Sequence, residues 1–528
     1  MNSKKTKYLP IFFALTTALG FFLGSNLNQS TSNSISTVSG GQELNEVLNY
    51  IENEYVDSVD RSKIVDKTIS YMLQELDPHS YYISAEEVAA MNEPLEGNFD
   101  GIGVQFNIVK DTIFVITPIS GGPSEKVGIK AGDRIIKVEG DLVAGVSISN
   151  KKVLKLLKGP RGTKVNVTIQ RKNEEFDFTI TRDEIPIYSV ATSQMINDTV
   201  GFIKVSRFAR TTHEEFVKGV DELKEQGMTK LIIDLRGNGG GYLDAAVNIC
   251  DELLTEDNLI VFTEGKARPK EEYFATDRTS YPDLELAILI DENSASASEI
   301  LAGAIQDNDR GVILGRRSFG KGLVQEQTPW PNGAATRLTI ARYYTPSGRC
   351  IQKPYEEGNE SYFEEQYERY ENGEMYSQDS IDFQEELKYT TKEGRTVFGG
   401  GGIFPDFFVP LDTSYSSAYM NRILYAGVLY DFSLNYADQH RKELLGDYSA
   451  TSFANTFLIT PSLEQQIIEL AQEKGIDFKA AQFEKSKSEI NKRVKAYIAR
   501  NIWDDYGFYL VWNQKDPVIE LSLKELSQ

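Results

Sequence analysis

Histidine and cysteine are scarce in this chain of 528 residues: His79, His213, His440, Cys250 and Cys350 are all there are. A hydroxyl nucleophile activated by imidazole needs a histidine in a suitable motif, and none of the three has one. His213, in Thr211-Thr212-His213-Glu214-Glu215-Phe216, reads as a surface residue at a helix start. None of the three histidines lies in a metal-ligand pattern, and the two cysteines make no zinc-binding cluster; the serine-lysine chemistry read below needs neither a metal nor an organic cofactor. Two cysteines make no disulfide framework and leave open one bridge between them. Positive charge is short as well, with 56 Lys and Arg against 78 Asp and Glu. The net charge of -22 argues against nonspecific binding to nucleic acid or to anionic lipid. It says little about a peptide ligand.

What the chain does have is a serine and a lysine in telling surroundings. The apolar run from Leu284 to Ile290 predicts a strand, and Ala297 to Gln306 has helical apolar spacing. Ser296 therefore sits at a strand-to-helix junction, where free amides and the positive end of the helix dipole favour a developing oxyanion. Taken alone, Ser296-Ala297-Ser298-Glu299 is a capping box. Downstream, Phe319-Gly320-Lys321-Gly322-Leu323-Val324-Gln325 puts a lysine between two glycines in an uncharged run. Burial disfavours an ammonium and lowers its pKa, which is what a lysine base requires. Strand alternation would place Lys321, Leu323 and Gln325 on one face, with the Gln325 amide orienting the amine.

A second element points the same way. The strand-like Lys230 to Arg236 runs into Gly237-Asn238-Gly239-Gly240-Gly241, followed by a helical segment from Tyr242 to Leu254. Glycines there bring bare amides close to a ligand. The lysine and hydroxyl of a P-loop and the full dinucleotide spacing are missing, which argues against a nucleotide site.

Together, Asp234-Leu235-Arg236-Gly237-Asn238-Gly239-Gly240-Gly241, the Ser-Ala-Ser-Ala-Ser-Glu run and Phe-Gly-Lys-Gly resemble the carboxyl-terminal processing (tail-specific) proteases. The resemblance implies Ser296 as nucleophile, Lys321 as base and Gln325 as its support. It implies oxyanion amides from Gly239 or Gly240 and from Ala297. It also implies an α/β core of the ClpP/crotonase-like type and a PDZ domain. This chain carries PDZ signals of its own. Gly101-Ile102-Gly103-Val104 is the shape of loop that captures a peptide carboxylate while the following strand pairs with its backbone. Ser120 to Val138 reads as turn, short helix, turn and strand, Ile148 to Leu157 as the groove helix, and Lys164–Arg171 and Glu175–Arg182 as closing strands. Arg161, in a turn between PDZ elements, has two readings: a solvated turn arginine, or a latch for an active arrangement.

The expected architecture is an α/β multidomain chain. Residues 1–41 form a signal peptide or membrane anchor plus linker, 42–95 a helical arm, 96–185 the PDZ domain, 186–411 the protease core, and 412–528 a helical extension. The arm rests on Leu44, Val47, Leu48 and Ile51 at helical spacing, repeated by Ile64, Thr68, Tyr71 and Met72. In relatives such arms dimerise or cover the core, so a homo-oligomer is an expectation. Lys4, Lys5 and Lys7 precede an apolar stretch from Tyr8 to Gly24 with no clean small-x-small cleavage site. That favours an uncleaved anchor and a catalytic part in the cell envelope, periplasmic or otherwise extracytoplasmic. Apolar strands near 199–205, 230–235, 284–290, 311–315 and 336–344 alternate with helical segments, which predicts the α/β core. Within it Tyr355 to Tyr389 is acidic, rich in tyrosine and poor in aliphatic residues, and reads as a mobile flap. Two late motifs, Tyr344 to Arg349 and Gly399 to Asp406, read as structural loops near the cleft. The expected partners are unfolded proteins or proteins with exposed C-termini. The membrane enters only through the N-terminal segment. The alternatives from other classes are a catalytically silent PDZ adaptor and a carrier of hydrophobic ligands.

Overall fold

The computed structural model describes residues 40–381 and 383–527, with Ala14, Thr16 and Thr17. The expected targeting segment therefore lies almost wholly outside the described residues. No described helix is long and apolar enough to cross a membrane. The chain divides into two units, 1–71 and 72–528. In the first, the helix Gly40–Glu54 buries none of its residues and leaves Leu44 and Val47 exposed.

In the second unit, strands with largely apolar centres make a sheet covered on both faces. Its order is Val190–Met195, Val200–Val205, Lys230–Asp234, Glu285–Ile290, Val312–Gly315 and Phe407–Phe408. The first pair is antiparallel and the rest are parallel. On one face Ile203, Ile233 and Ile288 pack in one core with residues of the helices Thr212–Glu225, Leu243–Leu253 and Ala297–Asp307. On the other, Phe202, Ile232 and Leu289 pack with Val518 and Ile519 of the last helix, Pro517–Glu525. The strand expected near 336–344 forms at Ala335–Tyr344 but joins a second sheet, pairing with Leu323–Pro329 and Leu259–Glu264.

Residues expected to be helical up to 95 form the helices Arg61–Gln74 and Val88–Glu96. Between them Tyr81–Ile83 is a strand pairing with Arg337 to Ala335, so this stretch is partly woven into the second sheet. The PDZ region is a sheet ordered Val104–Val109, Thr112–Pro118, Arg134–Val138, Lys164–Arg171 and Glu174–Thr181, with helices Pro123–Val127 and Asn150–Leu157. Ser149 starts the second of these by accepting the Lys152 N–H. Only one side of Val104–Val109 is paired within this sheet.

The acidic insertion is not the loosely held flap its composition predicts. It carries the helix Asn359–Glu371, which buries Tyr362 and Arg369. Arg369 donates to the carbonyls of Ser318 (2.8 Å) and Phe319 (3.2 Å), and Lys353 pairs with Glu365 at 2.9 Å. Charge pairing does here what aliphatic burial does elsewhere. Beyond residue 412 the chain is helical, with its own core around Phe432, Phe453, Ile467 and Val494. The long helix Ala480–Trp512 is kinked at Trp503 and Asp504. Both cysteines are free, which rules out the bridge left open by the sequence.

Candidate active site

Ser296 lies in the turn between the strand Glu285–Ile290 and the helix Ala297–Asp307, with φ 56° and ψ -114°. A non-glycine residue held there stores about 1–3 kcal/mol of backbone strain, which the surroundings must over-determine. They do so with hydrogen bonds from the glycine loop. Ala295 N–H donates to the Asn238 carbonyl at 3.0 Å, and the Ser298 hydroxyl donates to the same carbonyl at 2.8 Å. The loop must come very near: a Cβ on Gly240, whose φ is +99°, would fall 2.8 Å from the Ser296 Cβ and 3.0 Å from the Ala297 nitrogen. Only glycine fits at that distance and dihedral.

The loop is held from beneath by charge. Asp234 is buried between Lys204, at 3.2 Å, and the Arg236 guanidinium, at 2.7 Å. Burial opposes its ionisation, but the two cations hold the carboxyl down to about 2. Arg236 reaches on to Asp516 at 2.9 Å, tying the loop to the C-terminal region.

The capping glutamate does more than cap. Both oxygens of the fully buried Glu299 are shared out among four donors. Oε2 accepts the N–H groups of Ser296 (2.8 Å) and Lys321 (2.9 Å). Oε1 accepts the Ser318 hydroxyl (2.5 Å) and the Gly320 N–H (2.7 Å). Burial pushes the Glu299 carboxyl up while these bonds oppose the shift. Tyr343 repeats the bridge from the other side, its hydroxyl donating to the carbonyls of Ser296 (3.1 Å) and Lys321 (2.8 Å). Burial drives its phenol well above the ordinary value, so it stays a donor. One carboxylate and one phenol thus fix the serine and lysine backbones to each other.

The Lys321 amine itself is left unengaged: among the described residues it makes no hydrogen bond or ion pair. Burial, helped by the nearby Arg337 cation and opposed by Glu299 and Asp77, lowers its pKa to about 8. At neutral pH about a tenth of it is then the neutral amine a base must be.

Gln325 does not meet the lysine by strand alternation. Lys321 precedes the strand Leu323–Pro329, and an irregularity between Val324 and Gln325 breaks the period of two. The Gln325 amide donates instead to Thr339 at 3.4 Å, and Thr339 donates to Asp77 at 3.0 Å. Gln325 lines a cleft of about 370 Å³ with Gly241, Tyr242 and Arg337.

Among the expected oxyanion donors, the Gly240 N–H donates to Asn238 Oδ1 at 2.9 Å. Gly239 is exposed, and Ala297, as the first helical residue, has no intrahelical acceptor. Those two amides stay available.

In the PDZ region Gly101 pairs with Asp183, and the buried Ile102 accepts the Ser124 N–H (3.1 Å) and hydroxyl (2.6 Å) through its carbonyl. Gly103, at φ +71°, turns the chain into Val104 and the one-sided strand. Arg161 is engaged locally, with Asp183 at 2.7 Å and Glu184 at 3.4 Å. It makes no bond to the Ser296 and Lys321 elements.

Four residues beside the serine and lysine escaped the sequence reading: Asp77, His79, Arg337 and Tyr343. Asp77 Oδ1 accepts the N–H groups of His79 (2.8 Å) and Ser80 (2.9 Å), an Asx turn that Asp77-Pro78-His79-Ser80 does signal. His79 donates to or accepts from the Tyr362 hydroxyl at 2.9 Å. Burial, with the Lys321 cation beside it, holds its pKa near 3, so the ring is neutral. His213 is not the free surface residue its motif predicts, since its Nε2 lies 2.8 Å from the buried Glu252 carboxylate. The late motifs are structural: the fully buried Arg349 pairs with Asp307 at 2.7 Å, and Asp406 accepts from Ile313 N–H and Gln306.

Residues 199–358 match Peptidase family S41, 101–181 match a PDZ domain, and 419–504 match a family of unknown function (DUF8443). The carboxy-terminal processing protease CtpB of Bacillus subtilis (strain 168) is 33% identical over 371 residues, spanning 67% of this chain and 76% of that one. The chain belongs to the carboxy-terminal processing proteases. A carboxy-terminal-processing protease of Bartonella bacilliformis is also 33% identical, over 63% of this chain and 78% of its own. A solved photosystem II D1 C-terminal processing protease covers 60% of this chain and 86% of its own, at 28% identity and a TM-score of 0.34. This carboxy-terminal processing protease is thus a peptidase built from a PDZ domain, an S41 core and a helical C-terminal region.

Proposed function

We propose that this protease hydrolyses peptide bonds with Ser296 as nucleophile and Lys321 as base. The observation that carries this is the unengaged, buried Lys321 amine, joined to the strained Ser296 turn through Glu299 and Tyr343. Lys321 takes the Ser296 proton, Ser296 Oγ attacks the carbonyl carbon, and the Gly239 and Ala297 amides receive the oxyanion. The same lysine protonates the leaving amine and then activates the water that releases the acyl-enzyme. Gln325 acts on the cleft and on Thr339 rather than on the amine. The cleft lined by Gln325, Tyr242 and Arg337 takes the extended chain.

The PDZ loop Gly101-Ile102-Gly103-Val104 holds the substrate's C-terminal carboxylate, and the strand from Val104 pairs with its last residues. A route from there to the cleft is short: Lys158, just after the PDZ helix, pairs with Glu93 on the helix Val88–Glu96, whose Glu96 binds Tyr242 at 2.9 Å and Arg210 at 2.6 Å. The boundaries 42–95, 96–185, 186–411 and 412–528 are proposed as the working domains. In this reading the enzyme works in the cell envelope, periplasmic or extracytoplasmic, reached through its N-terminal segment, and the exposed helix Gly40–Glu54 serves as an arm between copies.

The test is cleavage of an unstructured protein with an apolar C-terminus by the full chain and by its Ser296→Ala and Lys321→Ala variants. Cleavage by the parent alone supports the dyad. Equal cleavage by either variant overturns it, and retention of peptide without cleavage by any form favours the silent adaptor.

A further inference from the structure

The helical C-terminal region packs against the PDZ domain beside the strand Val104–Val109. A cavity of about 410 Å³ is lined on the PDZ side by Val104, Gln105, Phe106 and Ile116, and on the helical side by residues around the kink, among them Arg500 and Asp504. Arg134 of the PDZ sheet, stacked over Phe114 at 5.2 Å, lies 4.0 Å from Asp438 of the helical region. The two parts therefore meet on the outer face of the PDZ sheet, with the cavity between them.

Three observations give the cavity a chemistry. The first is register. The pairing with Thr112–Pro118 is irregular between Gln105 and Phe106, so the facing is read from packing: Val104 and Phe106 lie against the PDZ core, whereas Gln105 is exposed and lines the cavity. A peptide whose carboxylate sits in the Gly101 to Gly103 loop sets its last residue beside Val104 and its penultimate residue beside Gln105. Alternation then sends the penultimate side chain to the outer face, into the cavity. The second is charge. Asp505 is engaged with Arg500 at 2.7 Å, and Arg441 donates to the Asn501 carbonyl at 2.8 Å. Asp504 is exposed and forms no direct ion pair among the described residues, although Arg441 and Arg500 lie near enough to favour its charged form against burial and the neighbouring Asp505. The third is backbone strain. Asp504 stands at φ 53° and ψ -153° at the kink, next to the likewise non-helical Trp503, a conformation that aspartate keeps only when its surroundings hold it there.

We propose that Asp504 is a specificity residue: it reads the penultimate side chain of the substrate C-terminus and selects lysine or arginine there. This rests on the PDZ loop holding the substrate carboxylate, as argued above. The PDZ domain fixes the end of the peptide through its backbone, and the helical region adds a side-chain contact that the PDZ sheet alone lacks. Half-exposed ion pairs of this kind change affinity only several-fold, which is enough to rank substrates without making any one obligatory.

The test uses the full chain carrying Ser296→Ala and fluorescent peptides with one apolar terminal residue and Lys, Ala or Glu before it. The expected order of affinity is Lys, Ala, Glu, with about fivefold between Lys and Ala. Asp504→Asn should remove the Lys preference while leaving the Ala peptide's affinity unchanged, and Gln105→Lys, on the opposite wall, should invert the order. Carboxylate-dependent binding with equal affinity for all three peptides overturns the proposal and leaves the PDZ reading standing. Binding that is the same for a free and an amidated C-terminus overturns the PDZ reading instead.

Discussion

The serine-lysine centre and the PDZ edge treat their polar groups in opposite ways. Around Ser296 and Lys321 nearly every donor has an acceptor, because Glu299 takes four of them and Tyr343 bridges two carbonyls. Among the described residues, what is left unengaged includes the Lys321 amine and the amides of Gly239 and Ala297. Along Val104–Val109 the situation is reversed, with one whole side of a strand unpaired in its sheet. The centre is preorganised by saturation and reacts through its few exceptions. The edge is built to be completed by another chain.

Removing an exception at the centre should have the largest effect. Ser296→Ala or Lys321→Ala is expected to lower kcat by about 10⁴-fold or more while peptide binding, measured by anisotropy, is retained. Next comes the saturation itself. Glu299→Ala strands four donors, two of them buried and two part-buried, and should lower stability by about 3 kcal/mol, read by denaturant unfolding, with activity falling alongside. Glu299→Gln, which keeps the shape, should recover part of the stability.

The third contrast is in pH. The lysine must be neutral to act, so kcat/KM should rise with pH through a limb near 8, about tenfold in all from pH 7 upward. Arg337 lowers the Lys321 pKa, so Arg337→Ala should move that limb to higher pH, a shift that lost packing alone would not produce.

At the edge, Gly103→Ala puts a Cβ 2.8 Å from Ile185 Cδ1 at φ +71°. It should destabilise the PDZ domain by about 1–2 kcal/mol and weaken peptide affinity without changing the pH limb. The smallest effect is expected at Arg161, whose exposed ion pairs with Asp183 and Glu184 contribute less than about 1 kcal/mol. Peptide-stimulated cleavage by Arg161→Ala should match the parent, and a loss of stimulation would revive its role as a latch.

How far these two regions were legible follows from what each depends on. The strand-to-helix placement of Ser296 and the PDZ elements came from local periodicity and turn residues, which sequence carries directly. The supposed shared face of Lys321 and Gln325 failed because alternation assumes an unbroken strand, and the register shift after Val324 is set by pairing with Ala335–Tyr344. The Gly240 N–H is engaged because the side chain of Asn238 folds back onto it, a contact that no spacing reveals. The insertion misled because composition measures aliphatic burial, whereas Arg369 and Glu365 hold it by ion pairing and hydrogen bonds. Glu299 was visible only as a cap, since its partners at Ser318, Gly320 and Lys321 are 19 to 22 positions away.

The helix Pro517–Glu525 lies on the face of the parallel sheet opposite the nucleophile helix, with Val518 and Ile519 against Phe202 and Ile232 and with Lys230 reaching the Leu526 carbonyl. A peptidase match that closes at residue 358 therefore marks a stretch of recognisable sequence and not a unit that folds by itself. Deleting the helical region in the hope of isolating a minimal protease would strip one layer from the sheet and free Arg236 from Asp516. Any loss of activity in such a truncation would report the collapse of its scaffold before it reported anything about regulation.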